Sequence, residues 1–192
     1  MIFVVTPMDF IPLVYVKDGR FLNSEGKKIR DTKGFIENLN QEILYVIDID
    51  GITKNQPNLD FYQRIGKDLW IDSSPRTFED IMDVVVTGVS RLTIRERNYV
   101  DDINKIFDNI EIELYLGLDA RSDREKLYHS DWSGMVFLVD NFLDFEIREK
   151  ITNFSRDFDV CLVVKEKGFI DISWAENAGV KIVAYPYWEM RM

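Results

Sequence analysis

An alternation that few folds accommodate runs through this chain. Short apolar runs rich in β-branched residues recur along its 192 residues, at 2–5, 43–47, 69–71, 91–94, 112–118, 135–139, 160–164 and 180–184. Most are continuously apolar, as strands covered on both faces must be. Helical patterns separate most of them. Phe35, Ile36 and Leu39 follow the first run. Leu59, Tyr62 and Ile65 follow the second, with Asn58 at the cap position, and Thr77 opens a further helix with capping chemistry. Segments 100–107, 142–154 and 170–178 supply more, and Gly88 and Gly179 stand where helix C-terminal glycines fall.

Strands alternating with helices make βαβ units and a parallel sheet. Eight such strands predict a (β/α)8 TIM barrel. Barrels of this kind generally take ~250 residues, so part of the usual architecture must be absent. The stretch 121–133, after the fifth run, has room for at most a short helix. Residues 186–192 are too few for a full helix after the eighth. The expectation is one α/β domain over residues 1–192. It is a trimmed (β/α)8 TIM barrel with short or missing helices after strands 5 and 8. An open doubly wound sheet is the alternative.

Composition narrows the function classes. The net charge of −10 disfavours nucleic acid and membrane surfaces as partners. No apolar run approaches the ~20 residues of a membrane span, and the N-terminus lacks a basic leader region, so a cytoplasmic address is expected. The single cysteine, Cys161, forbids an internal disulfide and cannot alone build a zinc site. It falls within an apolar run and reads as core. No cofactor and no metal is expected. Asp9, Asp48, Asp50 and Asp119 are the one oxygen-ligand set that could suit Mg²⁺ or Mn²⁺, and nothing in their spacing demands it.

Three strings carry a family resemblance. Asp9 follows Thr6-Pro7-Met8, Ile47-Asp48-Ile49-Asp50-Gly51 ends the second run, and Gly117-Leu118-Asp119-Ala120-Arg121 ends the fifth. In this order the chain resembles the HisA/HisF histidine-biosynthesis barrels, and the isomerase (HisA) branch more than the cyclase. That resemblance implies an Amadori-type aldose–ketose rearrangement, with Asp9 as base on strand one and Asp119 as acid on strand five. The two roles need opposite protonation states. Strands one and five face each other across a barrel mouth, and barrel sites lie at strand C-termini. Asp48 and Asp50 would line the same mouth, and Trp132 would cover the substrate from a loop. Each of these residues also has a plain structural reading, as a βα-turn cap or a packed loop aromatic.

The departures from the family are concentrated where its substrate phosphates sit. Glycine-rich turns should cradle phosphate there, because backbone N–H groups approach closely only without a Cβ. The corresponding strings are Asp72-Ser73-Ser74-Pro75-Arg76, Arg95-Glu96-Arg97, Lys165-Glu166-Lys167 and Tyr185-Pro186-Tyr187-Trp188. Segment 10–17, read as the loop after strand one, carries no basic residue before its last position, and Lys17-Asp18-Gly19-Arg20 matches family wording but looks displaced. A substrate lacking the usual two phosphates is therefore expected. Arg76, Arg95 and Lys165 either form a redesigned anion site or pair with neighbouring carboxylates. A small sugar-like molecule is the expected partner if the chain is an enzyme. The alternative is a non-catalytic binding or assembly protein with a filled mouth. Tyr185, Tyr187, Trp188 and Met190 form an aromatic tail suited to a homodimer interface or to packing on its own barrel.

Overall fold

The computed structural model describes residues 7–39, 41–119, 122, 127, 129–141 and 143–190. Its elements are β1 (Asp9–Lys17), β2 (Arg20–Phe21), α1 (Thr32–Glu37), β3 (Ile43–Asp48), α2 (Ile49–Lys54), α3 (Leu59–Gln63), β4 (Asp68–Asp72), α4 (Phe78–Val85), β5 (Arg91–Arg95), α5 (Asn104–Asn109), β6 (Glu113–Leu118), β7 (Gly134–Val139), α6 (Phe145–Phe154), β8 (Asp159–Val164), α7 (Ile172–Asn177) and β9 (Ile182–Pro186). Short 3₁₀ turns lie at Lys167–Phe169 and Tyr187–Glu189. All strands except β2 run parallel, each pairing with the next, and β9 pairs back onto β1. The sheet is thus a closed eight-stranded α/β barrel, not an open doubly wound sheet. Among the described residues no helix follows β6, and only the 3₁₀ turn follows β9. These are the two places where length predicted trimming.

Local chemistry explains most elements. Thr77 and Asp80 form a reciprocal capping box at α4. Asp31, Asp48, Asp144 and Asp171 each accept a hydrogen bond from the first turn of the helix they precede. Gly88 and Gly179 adopt positive φ after α4 and α7.

The first strand corrects the sequence reading. Segment 2–5 lies outside the described residues, and β1 is Asp9–Lys17. Pro12 makes that segment look like a broken strand, since proline cannot donate to a ladder. Here the β3 pairing begins only at Leu13, while Pro12 stands opposite Tyr185 of β9. The proline therefore occupies a stretch of strand with one free margin. Asp18 and Gly19, both at positive φ, form the two-residue turn that carries β1 into β2.

Two cores result. Ile11, Leu13, Tyr45, Trp70, Tyr115, Val136, Cys161 and Ala184 fill the barrel interior, while a larger set packs strands against helices. Tyr45, Trp70 and Tyr115 form an aromatic row, with ring centroids 5.1 and 4.1 Å apart. The indole N–H of Trp70 donates to Thr93 Oγ1 at 2.9 Å, so its polar atom is satisfied inside the barrel. The row needs room at Gly134, where a Cβ would stand 2.2 Å from the Asp159 carbonyl oxygen and 2.9 Å from the Tyr115 ring. Gly134→Ala is expected to destabilise the fold by about 2–3 kcal/mol through overpacking against backbone. Urea denaturation should show a lowered midpoint, while Gly66→Ala, with open space at its Cβ position, should leave the midpoint nearly unchanged.

Candidate functional site

Strand parity decides what the mouth contains. Side chains at alternate positions face the lumen, so the inward series on β1 is Ile11, Leu13 and Tyr15, on β4 Trp70 and Asp72, and on β5 Thr93 and Arg95. Tyr15, Asp72 and Arg95 therefore stand at the C-terminal end of the barrel. Arg97, Asp119, Asp140 and Lys165 immediately follow strand ends there, and Trp188 of the final 3₁₀ turn stacks on Tyr15 at a ring separation of 6.0 Å.

The charges at this mouth are committed to one another. Arg95 Nε donates to Asp72 Oδ1 at 2.8 Å and Nη2 donates to Oδ2 at 2.8 Å. Asp72 is fully buried, so this two-pronged pair compensates a carboxylate cut off from water. Burial alone would lower the Arg95 pKa, but the Asp72 charge and hydrogen bonds raise it above the usual arginine value. Arg97 Nη1 pairs with Asp119 Oδ2 at 2.8 Å, and Lys165 Nζ with Asp140 Oδ1 at 2.7 Å. Tyr15 is pushed up to about 12 by burial and by the Asp140 and Glu189 charges, so it stays a neutral phenol. Arg95 and Lys165 thus form direct ion pairs, which overturns the redesigned anion site at those two positions. Arg76 is exposed and enters the loop through its backbone, with its N–H donating to Asp80 Oδ2 and its carbonyl accepting from Val100.

The proposed catalytic pair does not meet. Asp9 opens β1, in register with Ile182, and its backbone N–H donates to the Lys181 carbonyl. The strand spans nine residues, roughly 26 Å at ~3.3 Å per step. Asp9 therefore lies at the foot of the barrel, and Asp119 at the mouth. The strand begins later than segment 2–5, which moves Asp9 from the strand's end to its start. The same shift puts Lys17-Asp18-Gly19-Arg20 directly after β1, so its apparent displacement vanishes.

Asp48 and Asp50 are not mouth residues either. Asp48 follows the inward-facing Ile47, so parity turns it outward. Its Oδ1 accepts from Gly51 N and Asn58 Nδ2, and its Oδ2 from Asn58 N and the Tyr62 hydroxyl. Asp50 accepts from Asp18 N at 2.5 Å, Lys54 Nζ at 2.8 Å and Asn58 Nδ2 at 3.2 Å. Asn58 stands at the start of α3 but makes no cap hydrogen bond. Its side-chain oxygen instead accepts from Gly19 N at 2.7 Å. These residues latch the β1–β2 turn onto α2 and α3. Gly51 belongs to the latch because a Cβ there would lie 2.7 Å from the Ser73 carbonyl oxygen.

Trp132 also stands elsewhere. It precedes β7 at the foot of the barrel, buried against Phe107 with its indole N–H on the Leu127 carbonyl. A loop before a strand cannot reach the end where that strand finishes. Ala120 and Arg121 of the third resemblance string lie outside the described residues. The aromatic tail packs on its own chain, Tyr187 against Phe35 and Trp188 against Tyr15. Among the described residues no group of three or more His, Cys, Asp and Glu is placed to hold a metal, and Asp9, Asp48 and Asp119 are not brought together. No helix of the described residues is long and apolar enough to cross a membrane. Sequence reasoning missed Tyr15 and Asp140. Counting by twos back from Lys17 would have found the first.

A closed parallel barrel with its polar groups at the strand C-termini defines the α/β TIM-barrel class. One solved structure similar to this chain is a "putative phosphonomutase" from Burkholderia cenocepacia J2315, with a TM-score of 0.55 and 8% sequence identity over 97% of this chain and 88% of that one. At that identity the likeness is one of fold. No family model and no curated protein matches the chain.

Two outcomes test this electrostatic reading. Asp72→Asn should cost about 2–4 kcal/mol in urea denaturation, because it strands a largely buried guanidinium, whereas Asp72→Leu with Arg95→Met should recover most of the loss. Burial raises the Asp50 pKa, but hydrogen bonds from Lys54, Asp18 and Asn58 outweigh it and hold the carboxyl at about 2. A depressed pKa gives stability present above the unfolded value and lost as pH falls through the folded one. Between about pH 4 and pH 2 the wild type should lose roughly 1–2 kcal/mol that Asp50→Asn lacks at every pH.

Proposed function

We propose that this chain is a non-catalytic binding or assembly protein built on a trimmed TIM barrel and acting in the cytoplasm. The observation that carries this reading is the set of ion pairs Arg95–Asp72, Arg97–Asp119 and Lys165–Asp140. Arg95, Arg97 and Lys165, cations that an anionic sugar substrate could use at the mouth, are each neutralised by a direct contact. Asp72, Asp119 and Asp140 are in turn occupied by the same contacts. The Asp-Ile-Asp-Gly and Gly-Leu-Asp-Ala-Arg strings fit descent from a HisA-like isomerase barrel, and the fold shared with a mutase-type structure fits descent from an isomerase more broadly. The chemistry of a two-aspartate sugar isomerase needs Asp9 and Asp119 on opposite faces of one substrate, and a barrel length separates them.

Incubation with ribose, ribose 5-phosphate and xylose in D₂O tests the reading. Proton NMR should show no enzyme-dependent exchange at the carbon beside the carbonyl, for wild type and Asp119→Asn alike. Exchange that wild type catalyses and Asp119→Asn abolishes would overturn the proposal and restore an isomerase.

A further inference from the structure

Outside the barrel mouth, a groove of about 740 Å³ runs between the β1–β2 turn, α1 and the end of α3. Its size falls within the roughly 300–1,000 Å³ of small-molecule sites. Ile36, Phe61 and Ile65 give it an apolar lining, and guanidinium groups stand on its two sides, Arg20 from β2 and Arg64 from the residue after α3.

The charge balance in this groove differs from that at the mouth. Both lining carboxylates already have cations: Asp18 pairs with Lys28 at 2.9 Å and Glu37 with Lys33 at 3.8 Å. Neither Arg20 nor Arg64 has a carboxylate partner among the described residues. The one hydrogen bond of the Arg64 side chain uses Nε, which donates to the Asp60 carbonyl at 2.9 Å, so the forked end of the guanidinium is uncommitted. Thr32, also in the lining, carries a hydroxyl without a hydrogen-bond partner. On a chain of net charge −10, two surplus arginines facing one apolar groove are a local inversion of sign.

The groove is also built rather than incidental. Asp50 holds the backbone N–H of Asp18, and Asn58 holds that of Gly19. Both turn residues sit at positive φ, a conformation that the latch keeps in place. The latch thereby fixes where β2 places Arg20 relative to α3 and Arg64.

We propose that this groove binds a small amphipathic anion: an aliphatic or aromatic body on Phe61, Ile36 and Ile65, with a carboxylate or phosphate end between Arg20 and Arg64. The proposal does not depend on the mouth being inactive, so either reading can fail alone. Arginine forks match both anions bidentately, and the apolar lining excludes a bare ion as the best occupant.

Amide NMR titrations with octanoate and phenyl phosphate test it, with 1-octanol and inorganic phosphate as controls. At least one amphipathic anion should shift the amides of Gly19 and Gly66 saturably. Shifts with octanoate alone identify a carboxylate ligand, and shifts with phenyl phosphate alone a phosphate ligand. Removing each guanidinium, in Arg20→Gln and Arg64→Gln, should weaken binding about tenfold. Both side chains are exposed, so the variants should keep the wild-type melting temperature. Asp50→Asn should weaken binding while leaving both arginines present. No saturable shift with either anion at millimolar concentration overturns the proposal. So does unchanged affinity in the double arginine variant, or equal affinity for 1-octanol or inorganic phosphate.

Discussion

Closure of the barrel rests on the ladder between β1 and β9, registered from Asp9↔Ile182 to Leu13↔Pro186. A sheet edge left open would expose unpaired N–H and C=O groups, and joining first strand to last abolishes both edges. That register also fixes the polarity of every residue near the N-terminus. With Asp9 opposite the start of β9, the strand must run to Lys17 before it reaches the mouth. Tyr15, not a carboxylate, is then the β1 side chain that faces the lumen near the top. The final 3₁₀ turn follows from the same geometry. Since β9 ends beside the middle of β1, the chain that leaves it passes over the rest of β1 and lays Trp188 on Tyr15.

The mouth obeys a second constraint, the cost of desolvating charge. Asp72 is placed by parity inside a barrel whose lower layers are Trp70, Tyr45 and Tyr115. An isolated carboxylate there would cost several kcal/mol. Arg95, one strand over and on the same inward parity, removes most of that cost with two hydrogen bonds. Arg97–Asp119 and Lys165–Asp140 repeat the pattern closer to solvent, where each pair contributes little energy but still occupies the donors an anion would use. The charged side chains after these strands therefore make a set of self-neutralised pairs at the rim.

Much of this was legible in the sequence. Parallel strands covered on both faces leave continuous apolar runs, and β3 to β9 coincide with them. The lack of a described helix after β6 and the short turn after β9 were legible because length is a hard bound. The Arg95–Asp72 pairing was open as one of two readings of the replaced turns, while the partners of Arg97 and Lys165 depend on which loop residues meet across the rim. The first strand was misplaced because the apolar run 2–5 was taken as the strand and a stronger signal downstream was passed over. Asp18-Gly19 between apolar runs is a two-residue hairpin signature, and Lys17↔Arg20 is the register it dictates. Taken first, it sets β1 and moves Asp9 to the foot. Of the two readings of Trp132, the packed loop aromatic is the one observed; the substrate-covering one counted the distance after one strand and not the approach to the next.

The string Asp48-Ile49-Asp50-Gly51 shows how a resemblance in sequence can rest on a structural role. Both carboxylates hold backbone, at the first turn of α2, the start of α3 and the β1–β2 turn, and the remaining oxygen of Asp50 accepts from Lys54. Gly51 persists because α2 lies against the Ser73 backbone, where a Cβ does not fit. None of this requires a substrate. A residue pattern that looks like a catalytic mouth from sequence is thus maintained by packing and hydrogen bonding alone, and its geometry points outward, to the hairpin that carries Arg20. The same latch that removes Asp48 and Asp50 from the mouth orders the wall of the groove lined by Arg20 and Arg64. On this molecule, the sequence signals that resemble an isomerase lead physically to the outer surface of the barrel rather than to its centre.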